Sequence, residues 1–172
     1  MKATLRNLFM AVLVSSSLIS CKGVQFTFNG AVLDYDKVKT ISVEVFPNYA
    51  PLAQPTLSQD FTEALRDIFL TQTRLDLVKN NGDLQFSGKI EQYRTAPVGI
   101  QADEVAAQNR LTITVFVKFV NRTDETRNFE KRFTQYADYN STRQLNEVEA
   151  TLIEEINELL VQEIFNASVG DW

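Results

Sequence analysis

The sequence contains no histidine and one cysteine, Cys21, in 172 residues. Without histidine the chain lacks the commonest general base and the commonest metal ligand. A single cysteine excludes an internal disulfide and a cysteine-based zinc site. These absences disfavour most enzyme chemistry, so we predict that the protein is not an enzyme and carries no cofactor or metal.

Glycine and proline are scarce, with 6 and 4 residues, and the 17 Lys and Arg residues are outnumbered by 22 Asp and Glu residues. A chain that is 44% hydrophobic and 10% aromatic is neither disordered nor collagen-like. Its length suits one compact domain. The formal net charge of −5 disfavours non-specific binding to phosphate backbones, so we predict no nucleic-acid partner.

The chain begins with a short cationic segment and an apolar run. Lys2 and Arg6 precede an unbroken apolar stretch from Leu8 to Val14. A membrane-spanning helix needs about 20 apolar residues, so this run is too short to span. A cationic start followed by a short apolar run is typical of a secretory signal.

The residues Leu18-Ile19-Ser20-Cys21 follow this run and resemble a bacterial lipobox, with an aliphatic residue three positions before the cysteine and a small residue directly before it. In such a motif the thiol accepts diacylglycerol. An ordinary signal peptide with an incidental cysteine is the alternative, but the only cysteine falls right at the end of the apolar segment. We therefore predict a lipoprotein signal peptide at 1–20, a lipidated tether at 21–36 and a single α+β domain at 37–172.

The domain shows alternating and helical apolar patterns in the order β-α-β-β-β-α. Alternation predicts half-buried strands, and a stripe repeating every three to four residues predicts a helix packed on them. We expect a four-stranded, mostly antiparallel mixed sheet with two helices packed on one face, and parallel pairing across the first crossover. The predicted elements are a strand at 38–46, a helix starting at a Thr56/Gln59 capping box, strands around 84–91, 111–119 and 129–136, and a helix starting near Asn146.

The second helix is strongly acidic. From Gln144 onward the chain has no Lys or Arg, and Glu154 and Glu158 lie one helical turn apart. Such a pair is compatible with acid/base chemistry or a cation site. A solvated helix face is the preferred interpretation.

The sheet face that the helices leave uncovered is predicted to interleave cations with aromatic side chains. Such a surface can bind a phosphorylated amphiphile or another protein. An ordinary solvated sheet face is the alternative. The candidate contact residues are Lys89, Tyr93, Arg110, Phe116, Lys118, Arg132 and Tyr136.

Several segments, spread over nearly the whole chain after the predicted signal peptide, resemble the LptE-like lipopolysaccharide-assembly lipoproteins of the Bacteroidetes group. The resemblance rests on the order and spacing of these segments together, because no single segment is diagnostic. The segments are Phe26–Ala31, Pro55–Ser58, Phe61–Leu65, Asn81–Phe86, Asn109–Val115 and Ile164–Asn166 with Val169 and Trp172. The first departs slightly from the family pattern, with Phe28-Asn29-Gly30 in place of Phe-Thr-Gly.

The resemblance implies a non-enzymatic lipoprotein that is anchored in the outer membrane by lipid and faces the periplasm. Family members partner a large β-barrel translocon of the LptD type, sit partly inside it as a plug, and help to insert lipopolysaccharide into the outer leaflet. A periplasmic lipid carrier, or a pilot lipoprotein for another outer-membrane protein, is the alternative. A closed cavity between helices and sheet would favour the carrier, and a packed core would favour the plug.

Overall fold

The computed structural model describes residues 33–51, 53–98 and 108–170. The predicted signal peptide and Cys21 lie outside these residues. The elements, in chain order, are β1 (Thr40–Val43), α1 (Leu57–Gln72), β2 (Asp76–Leu77), β3 (Leu84–Val98), β4 (Gln108–Asn121), a 3₁₀ turn (Glu125–Arg127), β5 (Phe129–Asn140) and α2 (Leu145–Val169).

The five strands of the described residues form one mixed sheet in the order β2-β1-β3-β4-β5. β1 is parallel to both β2 and β3, whereas β3, β4 and β5 form an antiparallel meander. The predicted α+β class, the element order and the parallel pairing across the first crossover are therefore confirmed. Over the described part of the chain the sheet has five strands rather than the predicted four, because the two-residue β2 adds an outer strand beside β1 that is too short to show alternation.

Asp83 ties the start of β1 to the start of β3. Its Oδ2 accepts hydrogen bonds from the backbone N–H of Lys39 (2.9 Å) and from the N–H and Oγ1 of Thr40 (3.0 and 2.8 Å). The Lys39 N–H is the main cause that holds the pKa of Asp83 below its ordinary value. The carboxylate thus connects the starts of β1 and β3 next to the first residue pair of their ladder, Ile41 and Leu84.

Both helices pack on the same face of the sheet. The ring of Phe69 in α1 lies 4.9 Å from the ring of Phe86 in β3 and 5.0 Å from that of Phe165 in α2. All three side chains are fully buried. One aromatic side chain therefore joins both helices and the sheet in a single apolar core.

The predicted Thr56/Gln59 capping box is wrong. Thr56 precedes α1 but has helical backbone angles (φ −80°, ψ −18°), and its side chain makes no cap hydrogen bond. A capping side chain reaches the N–H groups of the first turn only from an extended backbone. α2 begins at Leu145 after an extended Gln144, whose side chain likewise makes no cap bond.

A β-bulge interrupts β3. Ile90 pairs with Val115 and Gln92 with Thr114, so Glu91 is the extra residue. A bulged residue shifts the alternation of a strand by one position. Before the bulge the even-numbered side chains face the helices, and beyond it the odd-numbered ones do, beginning with the buried Tyr93.

Candidate partner-binding surface

The outer sheet face, defined here as the side chains of β3, β4 and β5 that point away from the helices, carries bases, acids, aromatics and hydroxyls. Strand alternation on β4 and β5 and the bulge on β3 decide which residues reach it. Its charged members are five bases and three acids: Lys89, Arg94, Arg110, Lys118, Arg132, Glu91, Glu130 and Asp138.

Glu91 lies at the centre of one cluster on this face. Its carboxylate accepts from Arg132 Nε at 2.7 Å and pairs with Lys89 Nζ at 3.2 Å. Both cations also approach the ring of Phe116, with Arg132 Cζ 5.6 Å and Lys89 Nζ 5.9 Å from its centroid. The hydrogen bond from Arg132 is the main cause that lowers the pKa of Glu91. The bulge therefore supplies the acid that holds two predicted contact cations over an aromatic ring.

Arg110 forms a second cluster with two residues of β5. Its guanidinium donates to both carboxylate oxygens of Asp138, at 2.7 and 2.8 Å, and lies 3.6 Å from the centroid of the Tyr136 ring. The hydrogen bond from Arg110 lowers the pKa of Asp138, and the same bond raises that of Arg110. A bidentate pair that also stacks on an aromatic ring fixes the guanidinium plane.

A third pair and a hydroxyl row complete the outer sheet face. Lys118 Nζ lies 2.8 Å from Glu130 Oε1 across the β4–β5 ladder. Between the charged clusters, Thr114 Oγ1 lies 3.0 Å from Thr134 Oγ1 and 3.4 Å from Gln92 Oε1. The face is thus polar along its length.

Tyr93 is not on the outer sheet face, so its predicted placement is wrong. The bulge at Glu91 turns Tyr93 toward the helices, where it is 8% exposed. Its hydroxyl donates to Glu149 Oε1 on α2, and Gln54 Nε2 donates to the other oxygen of that carboxylate at 2.7 Å. Burial, and then the bond to Glu149, raise the pKa of Tyr93. This side chain holds α2 to the sheet.

The other six candidates, Lys89, Arg110, Phe116, Lys118, Arg132 and Tyr136, do share the outer sheet face. The residues that sequence reasoning missed are the acids Glu91, Glu130 and Asp138, which pair with all four candidate cations. The signal was present for all three, because Glu130 and Asp138 alternate with Arg132 and Tyr136 on β5 and Glu91 alternates with Lys89 on β3. The bulge at Glu91 gave no such signal, because only cross-strand pairing reveals it.

Cations that already hold carboxylates are poorly suited to capture a free phosphate, because the anion must displace the internal partner. A surface of paired charges and hydroxyls, with the exposed ring of Tyr136 and the half-buried ring of Phe116, instead matches the composition of a polar protein interface. Within residues 33–51, 53–98 and 108–170 there is no group of three acidic, histidine or cysteine residues that could hold a metal ion. Over the same ranges, none of the helices combines the length and apolarity needed to cross a bilayer.

The fold and this surface together define a small two-layer α+β domain with a packed core and a polar open sheet face. The sequence model of the LptE family, described as lipopolysaccharide-assembly, matches residues 38–168. The chain therefore belongs to the LptE family of lipopolysaccharide-assembly lipoproteins, which are associated with the outer membrane. No curated protein sequence matches the chain.

Solved structures share the fold at low identity. Protein XCC0632 from Xanthomonas campestris is 11% identical with a TM-score of 0.53, over 77% of this chain and 84% of that one. The hypothetical protein CT253 from Chlamydia trachomatis is 8% identical with a TM-score of 0.52, over 76% and 98% of the two chains. A minor lipoprotein from Acinetobacter baumannii is 18% identical with a TM-score of 0.49, over 74% and 90%. The first two similarities support the fold alone.

Proposed function

We propose that this protein is a lipid-anchored outer-membrane lipoprotein on the periplasmic side. In this proposal it partners a β-barrel translocon of the LptD type as a plug and assists the insertion of lipopolysaccharide. The observation that carries the proposal is the family match over residues 38–168. The predicted lipid on Cys21 supplies the anchor, and no catalytic step is involved.

The packed core supports the plug over the lipid carrier. Among the described residues, the side chains between helices and sheet include seven phenylalanines that are less than 2% exposed. Ring contacts such as Phe46–Phe61, with centroids 5.1 Å apart, fill the space that a carried acyl chain would need. An apolar ligand would have to displace this core.

The outer sheet face is the surface that we propose for contact with the barrel. The lumen of a transmembrane barrel is polar, so a docked plug needs hydrogen-bonding and charged groups rather than an apolar patch. The paired charges of Lys118 and Glu130, and of Arg110 and Asp138, provide such groups. The hydroxyls of Thr114 and Thr134 lie between these two pairs.

Affinity capture of the tagged full-length chain from native outer membranes tests the proposed function. The expected result is stoichiometric recovery of one large β-barrel protein, together with lipopolysaccharide when the complex is purified in mild detergent. Recovery of the chain alone, or with lipid but without a barrel, would contradict the plug and favour the carrier or pilot.

Charge reversal tests the contact surface. We expect Lys118→Glu, alone or with Arg132→Glu, to lower the recovery of the barrel severalfold, because a negative side chain would then stand where the barrel is proposed to meet a positive one. Lys118→Glu also breaks the internal pair with Glu130. The matched control is the double variant Lys118→Glu/Glu130→Lys, which restores that internal pair in reversed order. Normal recovery with the double variant would show that only the internal pair mattered and would rule out this contact.

A further inference from the structure

The strand β5 forms one border of the sheet, and within the described residues its backbone pairs with β4 alone. All twelve of its residues are paired with β4. In an antiparallel pair the N–H and C=O groups of alternate residues point to the partner strand, and those of the residues between point away. Half of the backbone groups of β5 therefore point out of the described sheet.

The side chain of Leu159 on α2 lies on the same side of the molecule as this border and is 46% exposed. Glu163, four residues later, accepts a hydrogen bond from Gln135 Nε2 of β5 at 2.8 Å. Residues four apart lie on one side of a helix, so Leu159 also projects on the β5 side of α2. A further strand beside β5 would cover this leucine if its helix side were apolar.

The chain enters the described domain next to the start of β5. Leu33, the first described residue, and Arg127, two residues before β5, line the same surface cavity of about 240 Å³. The preceding part of the predicted tether runs toward this point, whereas β5 runs away from it, so the tether laid along β5 would be antiparallel to it. Residues 22–32 can extend over about 37 Å, against about 41 Å for the twelve residues of β5.

The tether also has the alternating pattern of a strand. Val24, Phe26 and Phe28 are separated by the polar residues Gln25 and Thr27. A register that places residue 28 opposite residue 133 of β5 puts the three apolar side chains on the helix side, where Leu159 is exposed. The polar side chains then extend the outer sheet face.

We propose that residues 24–28 of the tether pair with the outer border of β5 as a sixth, antiparallel strand. The tether is favoured over a strand from another molecule because it is joined to the domain beside β5. Its local concentration there is on the order of millimolar. The same register places the charged residues Glu130, Lys131 and Arg132 opposite Ala31, Gly30 and Asn29, none of which carries a charge.

This inference goes beyond the proposed function, and the pairing itself requires neither a barrel nor lipopolysaccharide. Its consequence depends on the predicted lipid. With residue 24 opposite Ala137, Cys21 lies close to the end of β5 that leads into α2, far from the end of the sheet where Leu33 enters. The lipid then holds the junction of β5 and α2 toward the membrane and the turn between β4 and β5 away from it.

Hydrogen exchange of the isotope-labelled mature chain in detergent micelles, followed for each backbone amide by NMR, tests the pairing. We expect consecutive amides of residues 133–137 to exchange slowly, because β4 holds alternate ones and the tether holds those between. Slow and fast amides in alternation would show an unpaired border and would overturn the proposal. Protection that is lost on dilution would show a second copy on the border and would also overturn it.

A pair of prolines in the tether identifies the partner strand. Thr27→Pro/Phe28→Pro deletes the N–H groups of two consecutive residues, one of which has to point to β5. We expect every second amide of residues 133–137 to exchange about tenfold faster or more, with the amides between them unchanged. The control Thr27→Ser/Phe28→Leu keeps both N–H groups and the alternation, and is expected to match the wild type. Unchanged protection in the proline variant would exclude the tether.

Leu159→Ala tests the apolar contact with α2. We expect it to speed exchange of the same alternate amides, because the helix side of the added strand loses its cover. Leu70→Ala is the matched control, since Leu70 is 43% exposed on α1, which packs over β1 and β2. Equal effects of the two substitutions, or no effect of Leu159→Ala, would contradict the register.

The two proposals fail separately. If a barrel is captured and β5 shows alternating exchange, the proposed function stands and the added strand is excluded. If protection of β5 depends on the tether and no barrel is captured, the added strand stands and the plug is excluded.

Discussion

The two tyrosines predicted for the same surface have opposite roles at the scale of single residues. Tyr93 is buried and joins β3 to α2 through Glu149, whereas Tyr136 is 47% exposed and presents its ring to Arg110. Both stand in alternating strands, and residue type alone does not distinguish them. Their environments differ because one extra residue, Glu91, precedes Tyr93.

We expect Tyr93→Phe to lower the free energy of unfolding by about 1.5 kcal/mol, the lower end of the value for a hydrogen bond to a charged group. The ring still fills its site, so the loss reports the hydroxyl alone. Urea denaturation monitored by circular dichroism measures it. Tyr136→Phe is the control, expected within about 0.5 kcal/mol of the wild type, since it keeps the ring at an exposed position. Equal effects of the two substitutions would contradict the burial described for Tyr93.

At the scale of secondary-structure elements, the carboxylate of Asp83 holds β1 against β3. β1 has four residues and pairs with β3 at only three positions, so its ladder is short. The three hydrogen bonds that Asp83 accepts at the end of the strand are comparable in number to that pairing. Stability of this part of the sheet therefore depends on the charge state of one side chain.

Acid is expected to weaken this junction. The pKa of Asp83 is lower in the folded protein than in the unfolded chain, where an aspartate titrates at about 3.9. Its contribution is therefore complete above that value and is lost as the pH falls through the folded pKa. Unfolding free energies measured between pH 6 and the acid limit should fall less for Asp83→Asn than for the wild type. Parallel decreases in the two proteins would contradict this role.

The element order could be predicted from the sequence because β3 before its bulge, β4 and both helices keep their periodicity over many residues. The residues of the outer sheet face could be predicted only in part. Alternation counts positions along one strand and does not register an inserted residue, so Tyr93 was misplaced. The prediction of a capping box at Thr56 is wrong for a related reason, because residue types alone do not reveal backbone angles.

At the scale of the whole molecule, the predicted lipid anchor and the folded domain have separate functions, namely membrane attachment and contact with a partner. Each buried methylene of an acyl chain contributes about 0.8 kcal/mol to membrane affinity, and stable attachment takes more than one chain. The lipid on Cys21 would supply that affinity. The domain can then keep a polar surface suited to the proposed barrel partner.

Cys21→Ser is expected to move the protein from the membrane fraction to the soluble fraction while leaving the domain folded. Fractionation followed by immunoblotting measures the distribution, and circular dichroism of the purified variant checks the fold. Mass spectrometry of the native protein should show an acylated N-terminal cysteine with residues 1–20 removed. An unmodified thiol on a chain that retains residues 1–20 would contradict the anchor.

The two borders of the sheet differ sharply in length. One ends in β2, with two residues, and the other in β5, with twelve. An outermost strand exposes a row of backbone donors and acceptors to any extended segment that approaches it. The first half of β5 carries three consecutive charged residues, Glu130, Lys131 and Arg132. Charged side chains on an edge strand disfavour such pairing in many natural sheets. Among the described residues, β5 is therefore the only outer strand long enough to pair with a further long strand, and its uncharged stretch Phe133–Ala137 lies beyond the charged half.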